Sequence, residues 1–322
     1  MKFTRLSLYS ILIVIIIMGS GILAACGDEE PTDKQAQETA EQKDGDKKDQ
    51  EGKEQDQDLA VTVTDHMDRE IEFESHPETV VSLMPNLTET LFALDMSDQI
   101  LGITDFCNYP QEVEDKTRVG DAFDLNVEKI VSLEPDLVVM GGGEMMGEIN
   151  DKLDEMGIKT LVFDPQDLDE VEEMFLTLGE VFDREEAAEN LHEEFKQERE
   201  QLQSEVSDID ETQSAVVLLE PESLYTVGED VFLSEVIELT GVENIASDIS
   251  GYDEISQEVL LDQDPDVIIT TYHDIEELKA MGALSELTAV KEGRVYQGHD
   301  DKLSRPGPRV IDGAREVFEE IY

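Results

Sequence analysis

Cysteine is nearly missing from this chain. Only Cys26 and Cys107 carry a thiol among 322 residues. Cys26 falls where an export leader is expected to end, so the folded part keeps one cysteine and no internal disulfide. Stability must then come from a hydrophobic core, which a region of this length can build. Positive charge is scarce as well: 23 Lys and Arg stand against 80 Asp and Glu, a formal charge of −57. Such a field repels nucleic acid, and no basic patch offsets it. The acidic residues are spread along the chain. They read as adaptation to a salty exterior that screens their repulsion, not as one cation site. After the first 25 residues no apolar run reaches the roughly 18 residues that a spanning helix requires.

Catalytic signatures are missing too. Gly141-Gly142-Gly143 follows a strand-like segment but lacks both the G-x-G-x-x-G order and a G-K-[ST] ending. There is no G-x-S-x-G elbow, and acidic residues are too numerous for any pair to stand out as a glycosidase dyad. The histidines are scattered at His66, His76, His192, His273 and His299, with no H-E-x-x-H and no close metal cluster. His192 reads as a solvated helix residue. His273 follows the apolar run 267–270, at a strand's carboxyl end, and reads as a polar loop residue. These absences argue against an enzyme, and no cofactor motif or metal site is expected.

What is present begins with a leader. Lys2 and Arg5 precede an apolar run through Ile11-Leu12-Ile13-Val14-Ile15-Ile16-Ile17, and small residues lead to Leu23-Ala24-Ala25-Cys26. This is the pattern of an export signal over 1–25. Its ending resembles the bacterial lipobox, which implies a lipid on Cys26 that tethers the mature chain to the membrane without a spanning helix. Residues 26–58 are almost devoid of large apolar side chains and are expected to form a charged, disordered linker.

From residue 59 onward, short apolar strands alternate with helical patterns. This order implies parallel sheets with right-handed crossovers and places the body in the α/β class. The rhythm breaks over 167–206, where Val171, Met174, Phe175, Leu178, Val181 and Phe182, then Leu191, Phe195 and Leu202, recur at helical spacing. One long connecting helix is expected there, between lobes over 59–166 and 207–322. The lobes echo each other. Asn126-Val127-Glu128 runs to Glu134-Pro135-Asp136 and an apolar strand, and Ser256-Gln257-Glu258 runs to Asp264-Pro265-Asp266 and another. Each copy reads as a short helix, a proline stop and a core strand. The pattern predicts two Rossmann-like lobes joined by a long rigid helix, with a ligand cleft between them at the strand ends.

The motifs Leu83-Met84-Pro85-Asn86-Leu87-Thr88-Glu89, Cys107-Asn108-Tyr109-Pro110, Val119-Gly120-Asp121, Tyr225-Thr226-Val227-Gly228, Gly241-Val242-Glu243-Asn244 and Arg305-Pro306-Gly307-Pro308-Arg309 then acquire a meaning. The body resembles the iron-siderophore and vitamin B12 substrate-binding proteins of ABC importers, which have the class III periplasmic-binding-protein fold. The resemblance implies a small-molecule ligand and a partner made of a permease dimer with its ATPase. It implies that Glu128 and Glu258, one per lobe, dock on permease arginines. It also implies ligand contacts at Phe106, Phe123 and Tyr252, with Asp301 and Arg305 as a polar pair on the cleft edge. The motifs most resemble the cobalamin branch, although this chain lacks tryptophan, which the best-known B12 binder has near the position of Phe123. A ferric siderophore or haem is the alternative. A siderophore would call for more cleft cations, and Tyr252, Tyr272 or His273 as an iron ligand would favour haem. A surface enzyme or adhesin is the reading from another class.

Overall fold

Short apolar strands, buried on both faces, form the centres of the two larger sheets. The computed structural model describes residues 61–121, 124–270, 275–282 and 284–322. The leader expected over 1–25, the linker expected over 26–58, Cys26, Phe123, Tyr272 and His273 all lie outside the described residues. In the first lobe, β1 (Val61–Thr64) and β2 (Glu70–Phe73) form an antiparallel hairpin. Its turn is held by Asp65, whose carboxylate accepts from the Met67 and Arg69 amides and from the Arg69 guanidinium. Then follow β3 (Val80–Ser82), α1 (Pro85–Ala93), β4 (Ile100–Ile103), β5 (Thr117–Arg118), α2 (Val127–Ser132), β6 (Leu137–Met140), α3 (Glu144–Glu155) and β7 (Thr160–Val162). The five strands β5-β4-β3-β6-β7 form one parallel sheet. Helix α1 opens at Pro85. Proline suits the first helical position because its missing N–H would have had no intrahelical partner.

The single helix expected over 167–206 is two. They are α4 (Leu168–Val181) and α5 (Glu185–Ser207), packed as a hairpin. The break falls at Asp183, which adopts φ of 55°, a left-handed conformation that ends the helical run. Phe175 and Phe195 meet edge to face at 5.4 Å. A Cβ at Gly179 would overlap that of Ala188, so the glycine is what lets the two helices approach. Gly179→Val is therefore expected to destabilise the chain by about 1–3 kcal/mol through overpacking, read as a lower melting temperature. An unchanged melt contradicts the close approach. The 23-residue α5 carries the chain into the second lobe.

The second lobe contains β8 (Gln213–Glu220), β9 (Tyr225–Val227), α6 (Phe232–Glu238), β10 (Val242–Asn244), β11 (Tyr252–Glu254), α7 (Gln257–Gln263), β12 (Val267–Thr270), α8 (Ile275–Ala280), α9 (Thr288–Glu292), β13 (Val295–Gln297), α10 (Asp300–Leu303) and α11 (Val310–Ile321). Its sheet runs β11-β9-β8-β12-β13, with β10 also on β8. Strands β10, β8, β12 and β13 pair in parallel. Strands β9 and β11 are an antiparallel addition at the carboxyl end of β8, which the helix–strand rhythm did not reveal. His192, expected on a solvated face, lies between α4 and α5 with its Nε2 2.8 Å from a Glu172 oxygen. Arg199 of α5 donates to Asp169 and Glu172 of α4 and to Glu235 of α6. The helical hairpin is thereby tied to the second lobe as well.

The repeat seen in the sequence has a physical counterpart. Asp136 accepts from the amide and hydroxyl of Thr79, just before β3. Asp266 does the same with Ser214 on β8, and these hydrogen bonds hold its carboxyl below the usual range. Each Pro-Asp motif thus fastens one strand to its parallel neighbour. The pleat then divides the apolar residues. Val80, Leu137, Val139, Ala215, Val217, Val267 and Ile269 point into one core shared by both lobes and filled by α1, α4, α5, α6 and α11. Val81, Val138 and Met140 serve a separate core in the first lobe, and Val216, Leu218 and Ile268 one in the second. A core that runs continuously through both lobes resists hinge motion, because opening would expose apolar area.

Candidate functional site

Three sequence motifs that lie far apart in the chain meet at one seam between the lobes. Glu89 of α1 has a side chain only 3% exposed. Its carboxylate accepts from Arg309 Nε at 2.8 Å and Nη2 at 2.6 Å, and from Arg305 Nη1 at 2.8 Å. Arg305 also donates to Asn108 Oδ1 at 2.8 Å and to Asp301 Oδ1 at 2.5 Å. Asn108 in turn donates to Asp301 at 2.6 Å. The Arg309 guanidinium stacks 4.0 Å above the Tyr109 ring. Asn86 donates to the Pro306 carbonyl at 3.0 Å, and Gly307 has no side chain to hold the adjacent backbone away from Asn86. Burial alone would lower the pKa of Arg309, but Glu89 outweighs it and the guanidinium stays firmly charged.

Asp301 and Arg305, expected as a polar pair on the cleft edge, are paired with each other, and Arg305 also with Glu89. Cys107 is buried beneath the seam, with its Sγ 3.1 Å from the Thr88 hydroxyl and 3.3 Å from that of Thr104.

Towards the carboxyl ends of β4 and β8 the lobes present aromatic faces. Phe106 follows β4 and is 48% exposed, and its carbonyl accepts from Arg305 at 3.4 Å. Tyr252 opens β11 and is 43% exposed; Tyr225 opens β9 and is 37% exposed. The antiparallel register sets Tyr252 opposite Val227 and Tyr225 opposite Glu254, so the two rings are diagonal neighbours. Partial burial, and then the neighbouring Tyr225, push the Tyr252 phenol up. The sequence reading named Tyr252 but not Tyr225 as a contact. The available signal was an aromatic residue at the head of an otherwise buried strand. A separate concavity of about 650 Å³, lined by His76, Glu78, Asp136 and Lys159 among others, lies at the amino ends of the first lobe's strands. That is the end where α/β sheets do not place ligands.

Glu128 and Glu258 occupy the same place in the two lobes. Each is the second residue of a short helix, α2 or α7, and each is exposed. Asn126 caps α2 by accepting from the Lys129 amide, and Ser256 caps α7 by accepting from the Val259 amide. Each helix precedes a parallel strand, β6 or β12, so its amino end stands at the carboxyl edge of its sheet. Both carboxylates therefore lie on the ends of the lobes that carry the aromatic residues.

Two similar parallel-sheet lobes, joined by a long helix and presenting strand carboxyl ends, define a class III solute-binding protein. Comparison with known proteins agrees, and the chain belongs to the periplasmic binding protein family, whose model matches residues 80–302. It is 32% identical over 316 residues to the uncharacterized ABC transporter substrate-binding lipoprotein YvrC of Bacillus subtilis, covering 95% of each chain. It is 28% identical to a vitamin B12-binding protein of Vibrio cholerae, covering 74% of this chain and 87% of that one. A cobalamin-binding protein of Halobacterium salinarum is 29% identical, covering 78% and 71%.

Among solved structures, a possible iron-binding solute-binding protein of Staphylococcus epidermidis matches with a TM-score of 0.70 at 28% identity, over 77% of this chain and all of that one. The periplasmic vitamin B12-binding protein of Vibrio cholerae matches with a TM-score of 0.67 at 26% identity, over 76% and 96%. The chain is thus the substrate-binding component of an ABC transporter, in the group whose members take B12, siderophores or haem. It is a transport component and not an enzyme, with a permease, an ATPase and a small molecule as its partners.

Proposed function

We propose that this chain is held to the outer face of the cell membrane by a lipid on Cys26, captures a corrinoid between its lobes, and delivers it to its permease through Glu128 and Glu258. The observation that carries the corrinoid reading is the chemistry beside the seam. Arg305 and Arg309 are already neutralised by Glu89 and Asp301. Among the described residues, Phe106, Tyr225 and Tyr252 offer exposed aromatic faces for a solute. Aromatic faces suit a large flat ring, whereas an anionic siderophore calls for unneutralised cations. The relatives named for vitamin B12 and cobalamin support the same choice. The lipid anchor is supported by the relative named a lipoprotein, since an alignment over 95% of the chain leaves too few residues outside it to miss Cys26. Among the described residues no helix is long and apolar enough to cross a membrane.

Calorimetric titration of the purified chain with cyanocobalamin, haemin and a ferric catecholate siderophore tests the reading. One-to-one binding of cyanocobalamin alone is expected. A response to haemin or the siderophore alone transfers the protein to the iron group, which the Staphylococcus epidermidis structure favours. Replacing Phe106, Tyr225 or Tyr252 by Ala is expected to weaken cyanocobalamin about tenfold each, the worth of one aromatic contact, without changing the far-ultraviolet circular dichroism. Unchanged titrations remove that ring from the site.

A further inference from the structure

The two docking helices match in position but not in chemistry. Val127, Glu128, Lys129, Ile130 and Val131 of α2 correspond to Gln257, Glu258, Val259, Leu260 and Leu261 of α7. Ile130 and Leu260 are buried and hold each helix on its sheet. At 100° per residue, this places each glutamate on the outward crest, with the residues one and three positions later on its two flanks.

In the first lobe those flanks are polar or covered. Lys129 is exposed, its ammonium donates to the Arg118 carbonyl, and Val131 is half-buried. The adjoining concavity, about 330 Å³, is lined mainly by Arg118, Asp124, Asn126 and Lys129. In the second lobe both flanks are apolar and open: Val259 is 43% exposed and Leu261 37%. A hollow of about 320 Å³ begins at Gln257, one turn before Leu261, and is walled largely by Pro221, Leu224, Met281 and Leu284. Single exposed apolar residues are ordinary. Two of them astride one carboxylate, beside an apolar hollow, form a surface of mixed character.

We propose that the second-lobe half of the docking surface takes a permease loop in which an arginine or lysine stands next to an apolar side chain, whereas the first-lobe half makes polar contacts only. The inference rests on the docking reading of Glu128 and Glu258. Charge complementarity selects the cation, and continuity of the hollow with α7 selects its apolar neighbour. The two ends of the protein are then not interchangeable. Salt weakens the first-lobe contact, because exposed charge pairs are screened. It spares the apolar part of the second, because burial of apolar surface is not screened.

Binding of the mature chain to its cognate permease–ATPase complex in lipid nanodiscs, measured from low to high salt, tests this. Val259→Lys is expected to weaken binding about tenfold at high salt, the loss of one buried aliphatic side chain, with no change in melting temperature. Lys129→Val is expected to raise affinity at high salt, because it gives the first-lobe half an apolar flank of its own. Wild-type affinity for Val259→Lys alongside a clear loss for Glu258→Ala overturns the inequality and leaves the docking reading standing. If Glu258→Ala binds as wild type, the docking reading itself falls, and this inference falls with it.

Discussion

Glu89→Ala is expected to lose about 3–5 kcal/mol of stability, the usual consequence of removing one partner from a buried charge cluster. Glu89 is hydrogen-bonded to both Arg305 and Arg309, and both arginine side chains are only 14% exposed. Without it, two like charges are left side by side on the second-lobe side of the seam, with Asp301 and Asn108 left to hold Arg305. For a body of this size, 1 kcal/mol corresponds to roughly 2–4 °C, so the melting temperature is expected to fall by about 10 °C. Glu89→Gln keeps the shape and some of the hydrogen bonds, and is expected to fall between the two. The loss reaches function as well, because the Phe106 carbonyl hangs on Arg305. Corrinoid affinity is therefore expected to drop together with stability. A Glu89→Ala melt within about 1 kcal/mol of wild type contradicts the account of the seam, since that is the range of an exposed ion pair.

The second large effect separates docking from binding. The chain carrying both Glu128→Ala and Glu258→Ala is expected to bind cyanocobalamin as the wild type does, yet to support almost no uptake into cells. Both residues are exposed and lie in the first turn of short helices. Their removal costs the fold only about 0.3–1 kcal/mol each through the helix dipole. Against a permease cation the loss is larger, about 2–5 kcal/mol for each truncated pair, because the partner charge is left unpaired. Two such losses leave almost no docking, while each single variant keeps part of it. Uptake of radiolabelled cobalamin, measured beside a ligand titration, reads both quantities. Undiminished uptake, or a matching fall in ligand affinity, contradicts the assignment.

The fold was largely legible because its signals are local and repeated. The Pro-Asp motifs at Pro135-Asp136 and Pro265-Asp266, each with a capped helix before it and an apolar strand after it, announce two lobes, and the structure gives each motif the same hydrogen bonds. The long helical stretch was legible as helix but not as two helices. Its break depends on the backbone of Asp183 and on the contact of Gly179 with Ala188, and neither alters the apolar periodicity. Strand β11 escaped because Tyr252-Asp253-Glu254 is exposed along its whole length and shows no apolar pattern, and β9 went unseen with it.

The seam is the instructive case. The sequence reading set Arg305 and Asp301 at the cleft edge as contacts for a ligand. It could not show that Glu89, 216 residues earlier in the chain, already claims Arg305. Long-range pairing of charges leaves no trace in spacing or periodicity. The resemblance carried the motifs, and only the fold revealed that Asn86, Asn108 and Gly307 belong to one contact.

Hydrogen exchange of the mature chain with and without cyanocobalamin is the most direct measurement of the central claim. Slowed exchange is expected on both lobes at once, in the loop around Phe106 and at the heads of β9 and β11, while α5 and the shared core exchange as before. Protection confined to one lobe, or protection at the opposite ends of the strands around His76, contradicts a solute held between two braced lobes.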